Sequence, residues 1–376
     1  MMDALTDWCP APGEGVDFDA LSSRLPWVAR MRGVPQDTVH HAEGDVWIHT
    51  SMVLDALVGL PAWQALPARA RQIVFAAALL HDVAKPWTTR EEEGRITARG
   101  HSAAGALASR RLLWEAGVHP VAREQVCALV LRHQLPFFAV ESDDGERRAI
   151  LASLQAPNHW LALVNEADGL GRHCADPQRL ADNVALYRVL CEELGCLDAP
   201  YAFANAHARF RYARRTSTRH DVPPEHFSAE VVVMSGLPGA GKDTWLARHR
   251  PDWPVVSLDV LRRAMGVDPR GPQGKVAAAA REQARVHLRA GRSFAWNATN
   301  ISRQHRQRVI DLAVDYGARV HLVAVEAPAA RLRAQNRARE HAVPDAVIDA
   351  LLRKWEMPSP SEGHQLTWVG SSPQRI

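Results

Sequence analysis

A glycine-rich stretch from Val231 to Trp245, VVVMSGLPGAGKDTW, carries the clearest chemical signal in the sequence. Its centre satisfies G-x-x-x-x-G-K, a loop whose glycines let backbone N–H groups turn inward around phosphate oxygens. Lys242 is predicted to reach the β- and γ-phosphates of a nucleotide. Asp243 stands where Ser or Thr normally ligates Mg²⁺, so either Asp243 or Thr244 is expected to contact that ion. The residues predicted to bind the nucleotide and its metal are Gly236, Gly239, Ala240, Gly241, Lys242, Asp243 and Thr244.

A second group of polar residues recurs through the first half of the chain, in the order His, His-Asp, His, His, Asp. Its members are His49, His81, Asp82, His101, His133 and Asp168. Each lies at the end of a predicted helix or on its apolar face, where an isolated polar group is costly unless it pairs or binds metal. One such residue alone is better explained as a paired core or surface residue, but the ordered set indicates a site for Mn, Fe, Co, Ni or Zn. Lys85 and Arg172 would bind phosphate oxygens there, or else are solvated surface charges.

Three features follow the phosphate loop. Asp259 comes directly after a predicted strand, where it would accept a proton from an attacking hydroxyl or cap the next helix. Arg262, at i+3, shares its helical face and would hold a substrate phosphate. Asn297 ends a later strand where many NTPases carry an acid, which favours a kinase over a motor or switch ATPase. The arginines of segment 332–339 either close over ATP or form a solvated helix.

The elements that must position these residues differ between the two halves. Predicted helices of the first half start from an Asp45 cap and run through Leu57, then over 70–80, 103–116, 122–132, 147–154, 160–168 and 181–194. In the second half, strands over 231–234, 254–258, 293–296 and 320–325 alternate with helices over 275–289 and 304–316, and 365–369 could add an edge strand. This predicts an all-α bundle followed by an α/β domain with a parallel sheet. Ligands should gather at the carboxyl ends of the strands.

Composition sets broad limits on the protein class. With 376 residues, 47% of them hydrophobic, the chain has room for two or three globular domains. A net charge of +3 is too small to indicate nucleic-acid binding by itself. The five cysteines form no C-x-x-C pair, which favours reduced thiols and a cytoplasmic location. No signal-peptide pattern and no long uninterrupted apolar run is visible, so a membrane span is not expected.

A basic segment, Arg209 to Ser228, separates the halves and then becomes rich in Thr, Ser and Pro. This composition favours a surface linker. Its arginines, interleaved with Phe210 and Tyr212, are alternatively suited to contact a nucleic acid. The predicted domains are therefore residues 1–215 and 229–376, joined by a linker over 216–228.

The histidine–aspartate group resembles the signature of the HD phosphohydrolase superfamily: His, then His-Asp, then a distal Asp. The phrases GDVWIHT, LLHDVAKP, LRHQLP and EADGLGR look similar to that family. The resemblance implies one metal held by His49, His81, Asp82 and Asp168, and a second held by His101 and His133 with Asp82 bridging. It also implies a metal-dependent phosphomonoesterase or phosphodiesterase, for which we expect Lys85 to be catalytic and Arg172 to bind substrate.

The second half resembles the phage-type polynucleotide 5′-kinase family. The resemblance rests on GLPGAGKDTW, SLDVLR, NATNISRQHR and RLRAQNRAREHAVPDAVIDALLRKWEMPSPSE, in that order. It implies that Asp259 is the general base and that Arg262 contacts the substrate phosphate. It further implies Arg339 as the lid arginine, with Arg337 beside the nucleotide. Asn300 and Arg306 fall in a segment similar to the family's substrate-binding stretch.

Together the halves resemble bacterial fusions of an HD phosphohydrolase with a polynucleotide kinase, which heal broken nucleic-acid ends. The resemblance implies removal of a 3′-phosphate or 2′,3′-cyclic phosphate and phosphorylation of a 5′-OH. Expected cofactors are ATP, Mg²⁺ at the kinase site and two divalent transition-metal ions at the HD site. Expected partners are RNA or DNA ends, with a separate ligase as a candidate. Two alternatives stay open: a small-nucleotide hydrolase fused to a small-molecule kinase, and a nucleotide-gated nucleic-acid sensor without phosphoryl transfer.

Overall fold

The structure is a computed structural model that describes residues 4–268, 271–339 and 342–370. The chain divides into two compact units, Met1–Ala202 and Phe203–Ile376. Two residues of the kinase-like segment, Glu340 and His341, lie outside the described residues. Among the described helices, none combines the length and apolar character needed to cross a bilayer.

The first unit is a helical bundle with one short antiparallel hairpin. Its helices are α1 (Ala4–Trp8), α2 (Phe18–Arg24), α3 (Pro26–Ala29), α4 (Val46–Gly59), α5 (Pro61–Gln64), α6 (Ala68–Leu80), α7 (Lys85–Thr88), α8 (His101–Glu115), α9 (Pro120–Arg132), α10 (Leu135–Phe138), α11 (Gly145–Ser153), α12 (Asn158–Leu170) and α13 (Pro177–Glu193). The hairpin pairs β1 (Arg90–Glu92) with β2 (Arg95–Thr97). The helices predicted from periodicity are confirmed to within a few residues at each end. The hairpin was not predicted.

The helix α6 is the centre of this unit. All residues from Ile73 to Leu80 are buried, because α4, α9 and α12 pack around it. It ends where His81 and Asp82 begin. The neighbouring α4 starts at the predicted cap: Asp45 Oδ1 accepts a hydrogen bond from the backbone N–H of Ile48 at 2.9 Å.

The second unit is an α/β domain. Its helices are α14 (Ala206–Ala213), α15 (Lys242–His249), α16 (Leu258–Ala264), α17 (Gly274–Arg289), α18 (Arg303–Asp315), α19 (Ala329–Arg337) and α20 (Asp345–Leu352). Its strands are β3 (Glu230–Ser235), β4 (Val255–Ser257), β5 (Phe294–Asn297), β6 (Arg319–Val325) and β7 (Gln365–Val369). In the described residues these strands form one parallel sheet in the order β4-β5-β3-β6-β7. The predicted parallel sheet and the edge strand β7 are therefore confirmed.

The sheet brings the predicted kinase residues to one edge. The central strand β3 is buried at every position after the first, as expected for a parallel strand covered on both faces. Parallel strands all end at the same edge, so the loop after β3, Asp259 after β4 and Asn297 at the end of β5 lie along it. This is the edge at which sequence analysis expected the ligand.

The helix α14 changes the interpretation of the basic segment. Phe210 is 2% exposed and belongs to the core of the second unit together with Trp296 and Ile310. Tyr212 is also buried. The first residues of the segment therefore form a packed helix and not a linker, and these two rings are not available to stack on bases. The periodicity of a helix this short was hidden by its arginines.

Candidate metal centre and nucleotide site

The six predicted metal ligands of the first unit converge from five helices. His49 lies in the first turn of α4, His81 and Asp82 follow the end of α6, His101 begins α8, His133 follows α9, and Asp168 lies in the last turn of α12. All six are buried, with exposed fractions between 0% and 8%. The helix ends that the sequence predicted thus meet in one place.

The ligand atoms form two sets that share one carboxylate. His49, His81 and Asp82 make up one set, and Asp82, His101 and His133 the other, with the ligand atoms of each set within 4.8 Å of one another. The Nε2 atoms of His49 and His81 lie 3.3 Å apart, and those of His101 and His133 lie 3.1 Å apart. Asp168 Oδ1 lies 3.2 Å from His49 Nε2.

The histidine side chains are oriented by backbone carbonyls. The Nδ1 atoms of His81, His101 and His133 contact the carbonyl oxygens three residues earlier, at 2.6, 2.8 and 2.8 Å. A carbonyl oxygen only accepts, so each Nδ1 carries the hydrogen and each Nε2 presents a lone pair to the centre. Burial lowers the pKa of His133 to about 3, which keeps this ring neutral at pH 7.

Facing lone pairs repel each other unless a cation lies between them. The close approach of the histidine Nε2 atoms therefore fits a bound metal ion. Asp82 provides a second observation: its Oδ1 is buried and accepts no hydrogen bond from the described residues, a costly state for a carboxylate without a cation. Burial disfavours ionisation of Asp82, but the neighbouring positive charge, first of all that of Lys85, holds the pKa of this carboxyl well below its usual range. Two divalent ions fit both sets, with Asp82 shared.

Two cations accompany the centre. Lys85 Nζ lies 2.7 Å from Asp82 Oδ2 and donates to Gln36 Oε1 at 2.6 Å. Arg172 donates to Asp168 Oδ1 at 2.5 Å. Lys85 and Arg172 are therefore not solvated surface charges, which was the alternative interpretation of these residues. Both line a cavity of about 670 Å³.

The cavity joins charge to apolar surface. His41, Lys85 and Arg172 line one part of it, while the exposed side chains of Leu131 and Phe138 line another. A site for a nucleotide needs both kinds of lining, because its phosphate requires cations and its nucleoside requires an apolar wall. Sequence analysis did not identify the apolar part.

Sequence reasoning also missed Glu43. Its side chain is fully buried, and its Oε1 lies 2.8 Å from both His41 Nδ1 and His49 Nδ1. Its Oε2 accepts from the backbone N–H of His173 at 2.9 Å. Burial opposes ionisation, but the hydrogen bonds from His41 and His49 lower the pKa of this carboxyl. Glu43 thereby orients His49, and no periodic signal reveals it because it lies outside any helix.

The phosphate loop of the second unit has the backbone that the sequence predicted. Gly241 has φ +101°, and a Cβ on Gly236 would lie 2.3 Å from the carbonyl oxygen of Val325, so both positions require glycine. Lys242 Nζ donates to the carbonyl oxygens of Gly236 and Leu237 at 2.9 and 3.0 Å. The amine thus lies inside the loop, where it would meet a phosphate.

Three of the charged residues expected near the nucleotide affect the pKa of Lys242. Burial lowers the pKa of this lysine to about 8. Asp243 and Asp259 raise that pKa and Arg339 lowers it further, so the three side chains lie within electrostatic range of the amine. Arg262 donates through Nη1 to Asp259 Oδ1, as the i+3 spacing predicted.

The lid arginines take different positions. Arg333 of α19 pairs with Asp349 at 2.9 Å, which fixes it against α20. Arg337 is exposed and lies 4.0 Å from Asp345. Arg339 is exposed and acts electrostatically on Lys242. Of these three arginines, Arg339 is the one whose charge affects the phosphate-loop lysine, and its role as a lid residue stays a prediction.

Two predicted substrate contacts have structural roles in this fold. Arg306 is fully buried and donates through Nε and Nη2 to Glu362 at 2.8 and 3.0 Å. It also donates to the carbonyl oxygens of Asn300 and Glu356. The Asn300 amide donates to the carbonyl oxygen of Met234 at 2.8 Å. These bonds give Arg306 and Asn300 a role inside the fold, and their contact with substrate stays a prediction.

Comparison with known protein families divides the chain in the same way. An HD domain model matches residues 47–156, and an AAA domain model matches residues 231–358. The chain joins an HD domain to a P-loop, kinase-like domain. Asp168, in α12, and Arg172, two residues after the end of α12, lie beyond the HD match but reach the same centre.

Two curated relatives are multifunctional CCA proteins. The one from Halorhodospira halophila is 43% identical over 93 residues, which cover 25% of this chain and 20% of that protein. The one from Xanthomonas euvesicatoria pv. vesicatoria is 33% identical over 179 residues, 46% of this chain and 41% of that protein. This chain thus spans less than half the length of either relative. A gluconokinase structure from Sinorhizobium meliloti 1021 is 16% identical, covers 39% of this chain and 86% of its own, and has a TM-score of 0.29, too low to carry any argument.

Proposed function

We propose that the protein repairs both ends of a broken polynucleotide. The HD unit removes a 3′-phosphate or opens and removes a 2′,3′-cyclic phosphate. The P-loop unit transfers the γ-phosphate of ATP to a 5′-OH. Breakage by transesterification leaves these two ends, neither of which is a substrate for ligation, so each unit would restore one of them.

The observation that carries the phosphoesterase half is the double set of ligands sharing Asp82. Two bound divalent ions would supply an activated water and neutralise charge on the reacting phosphoryl group. The chain's own residues would do the rest. Lys85 and Arg172 would hold phosphate oxygens, and Leu131 and Phe138 would bind the terminal nucleoside. A cavity of about 670 Å³ suits a nucleotide end rather than a bare phosphate.

The kinase half rests on the phosphate loop, whose carbonyl oxygens hold the Lys242 amine, and on Asp259 and Arg339, whose charges affect the pKa of that amine. Lys242 would hold the transferring phosphate, and Asp259 would accept the proton of the 5′-OH. Arg262 would contact the adjacent substrate phosphate. Arg339 would neutralise charge on the moving phosphoryl group, and bound Mg²⁺ would bridge the nucleotide phosphates.

The proposal is tested by comparing reaction rates on oligonucleotides with those on small molecules. Purified protein, treated with chelator and reloaded with Mn²⁺ or Ni²⁺, is given a 3′-phosphorylated oligonucleotide or the matching nucleoside 3′-phosphate. In parallel it is given labelled ATP with a 5′-OH oligonucleotide, a nucleoside or a simple sugar. We expect both reactions to favour the oligonucleotide. Preference for small molecules in both reactions would contradict end repair and support a nucleotide hydrolase fused to a small-molecule kinase. ATP binding without any labelled product would support a sensor.

A further inference from the structure

The residue after the phosphate-loop lysine and the last residue of strand β5 form a pair. Asp243 lies in the first turn of α15, and Asn297 ends β5, which lies beside β3 in the sheet. Asn297 Nδ2 donates to Asp243 Oδ1 at 2.5 Å. Asn297 is 9% exposed, so its amide is held in place facing the loop.

P-loop proteins commonly divide the metal contact between these same two places. A Ser or Thr hydroxyl follows the loop lysine, and a carboxylate follows a nearby strand. Here the carboxylate is on the loop side and the neutral side chain is on the strand side. The site still holds one carboxylate and one neutral oxygen-bearing group, but their positions are exchanged.

We propose that Asp243 and Asn297 together are the Mg²⁺ site of the kinase unit, with Asp243 as the anionic ligand in place of the strand acid. This inference rests on the proposed binding of ATP. Mg²⁺ prefers carboxylate oxygens and keeps several waters, so one carboxylate with one amide carbonyl suits it. Asn297 fixes the carboxylate through Nδ2 and carries its own carbonyl oxygen on the same group.

A charge argument supports the same assignment. Asp243 adjoins Lys242, whose amine marks where the β- and γ-phosphates would lie. A carboxylate beside these phosphates repels them unless a cation separates the two. The protein should therefore discriminate strongly between Mg²⁺-bound and metal-free nucleotide. The competing explanation is that Asp243 only complements the dipole of α15, which would require no metal.

Thr244 is the other candidate ligand and is less well placed. It follows Asp243 along the helix and so projects about 100° further around the axis. The hydrogen bond from Asn297 goes to Asp243. Assignment to Asp243 therefore follows from the contact across the sheet edge and not from the sequence motif.

The experiment measures ADP affinity by calorimetry with and without Mg²⁺, which needs no acceptor substrate. For the wild type we expect Mg²⁺ to tighten ADP binding by roughly tenfold or more. Asp243→Asn should bind metal-free ADP more tightly and lose most of the Mg²⁺ effect. Asp243→Ser should also lose it, and the exchange variant Asp243→Ser with Asn297→Asp should regain it. ADP-dependent Mn²⁺ binding by electron paramagnetic resonance gives a second readout.

Controls separate the outcomes. Asp315→Asn removes one exposed charge beyond the opposite end of the sheet and should leave the Mg²⁺ effect unchanged. Thermal unfolding shows whether each variant is folded, and Asp243→Asn keeps the shape of the side chain. An unchanged Mg²⁺ effect in Asp243→Asn, or failure of the exchange variant to regain it, would overturn the inference while leaving the kinase proposal intact. Absence of ADP binding to the wild type would overturn both.

Discussion

The two sites of this chain are built in opposite ways. The predicted metal ligands of the HD unit are buried and lie at helix ends, and backbone carbonyls orient His81, His101 and His133. In the kinase unit, Asp243, Asp259 and Arg339 are exposed and lie around a loop. The first site is complete once the helices pack, apart from its ions. Under the proposed function, a bound nucleotide would bring the charges of the second site together. We therefore expect metal to stabilise the first unit and nucleotide to organise the second.

The largest expected effect is a reciprocal loss of activity. Asp82→Asn removes the shared carboxylate, and Asp259→Asn removes the proposed base. Each should lower its own reaction by about 100-fold or more and leave the other unchanged. Initial rates with a 3′-phosphorylated and a 5′-OH oligonucleotide measure both. Loss of both reactions in a folded single variant would contradict two independent sites.

A second expected effect distinguishes structural from substrate-binding arginines. Arg306→Leu leaves Glu362 buried without its partner, which should lower the free energy of unfolding of the second unit by about 3–5 kcal/mol. Arg262→Ala should instead raise KM for the 5′-OH oligonucleotide with little change in stability, because Arg262 pairs with an exposed carboxylate. Urea unfolding and steady-state kinetics measure the two changes. Normal stability with a raised KM in Arg306→Leu would instead support the predicted contact of this residue with substrate.

A substitution of Glu43 tests how far the HD site depends on the hydrogen bonds that orient His41 and His49. Glu43→Gln keeps the shape of the side chain but weakens the hold on His41 and His49. We expect metal affinity to fall by about 10- to 100-fold. Metal titration of the chelator-treated protein measures it, with the surface variant Glu115→Gln as the matched control. Equal affinities in the two variants would show that the backbone carbonyls alone orient the cluster.

How much of these sites could be predicted from the sequence depends on how far apart the interacting residues lie along the chain. The six metal ligands were predictable because each lies at a fixed place in a helical pattern. Glu43 lies in a coil and could not be found by periodicity. The buried pair of Arg306 with Glu362 could not be predicted, because Glu362 lies far along the chain and no local pattern links the two residues. Phe210 falls in the segment that was interpreted as a surface linker, because the arginine-rich composition of this short helix is also typical of a solvated segment.

The smallest expected effect concerns acid sensitivity. Burial, and then the charges of His207, Arg319 and Arg209, lower the pKa of His364 from 6.5 to about 3. The unfolded chain takes up this proton below about pH 6.5 and the folded chain does not, so stability is present above that pH and is lost as the pH falls toward 3.

Hydrogen exchange of the β6 amides at pH 7 and pH 5, corrected for intrinsic rates, measures this loss in the second unit. His364→Gln should reduce the difference between the two pH values. Without nucleotide, added Mn²⁺ should slow exchange in α6 and leave β6 unchanged, since the metal site proposed for the second unit needs a bound nucleotide. An equal pH response in wild type and variant would assign the sensitivity to other groups.

The most direct measurement of the central claim uses one RNA with a 5′-OH and a 2′,3′-cyclic phosphate, incubated with ATP, Mg²⁺ and Mn²⁺ or Ni²⁺. Both ends are followed separately on the same molecule. The account predicts that the 5′ end gains a phosphate while the 3′ end loses one. If neither end changes while ATP still binds, the proposal of end repair is wrong and the protein acts on other substrates.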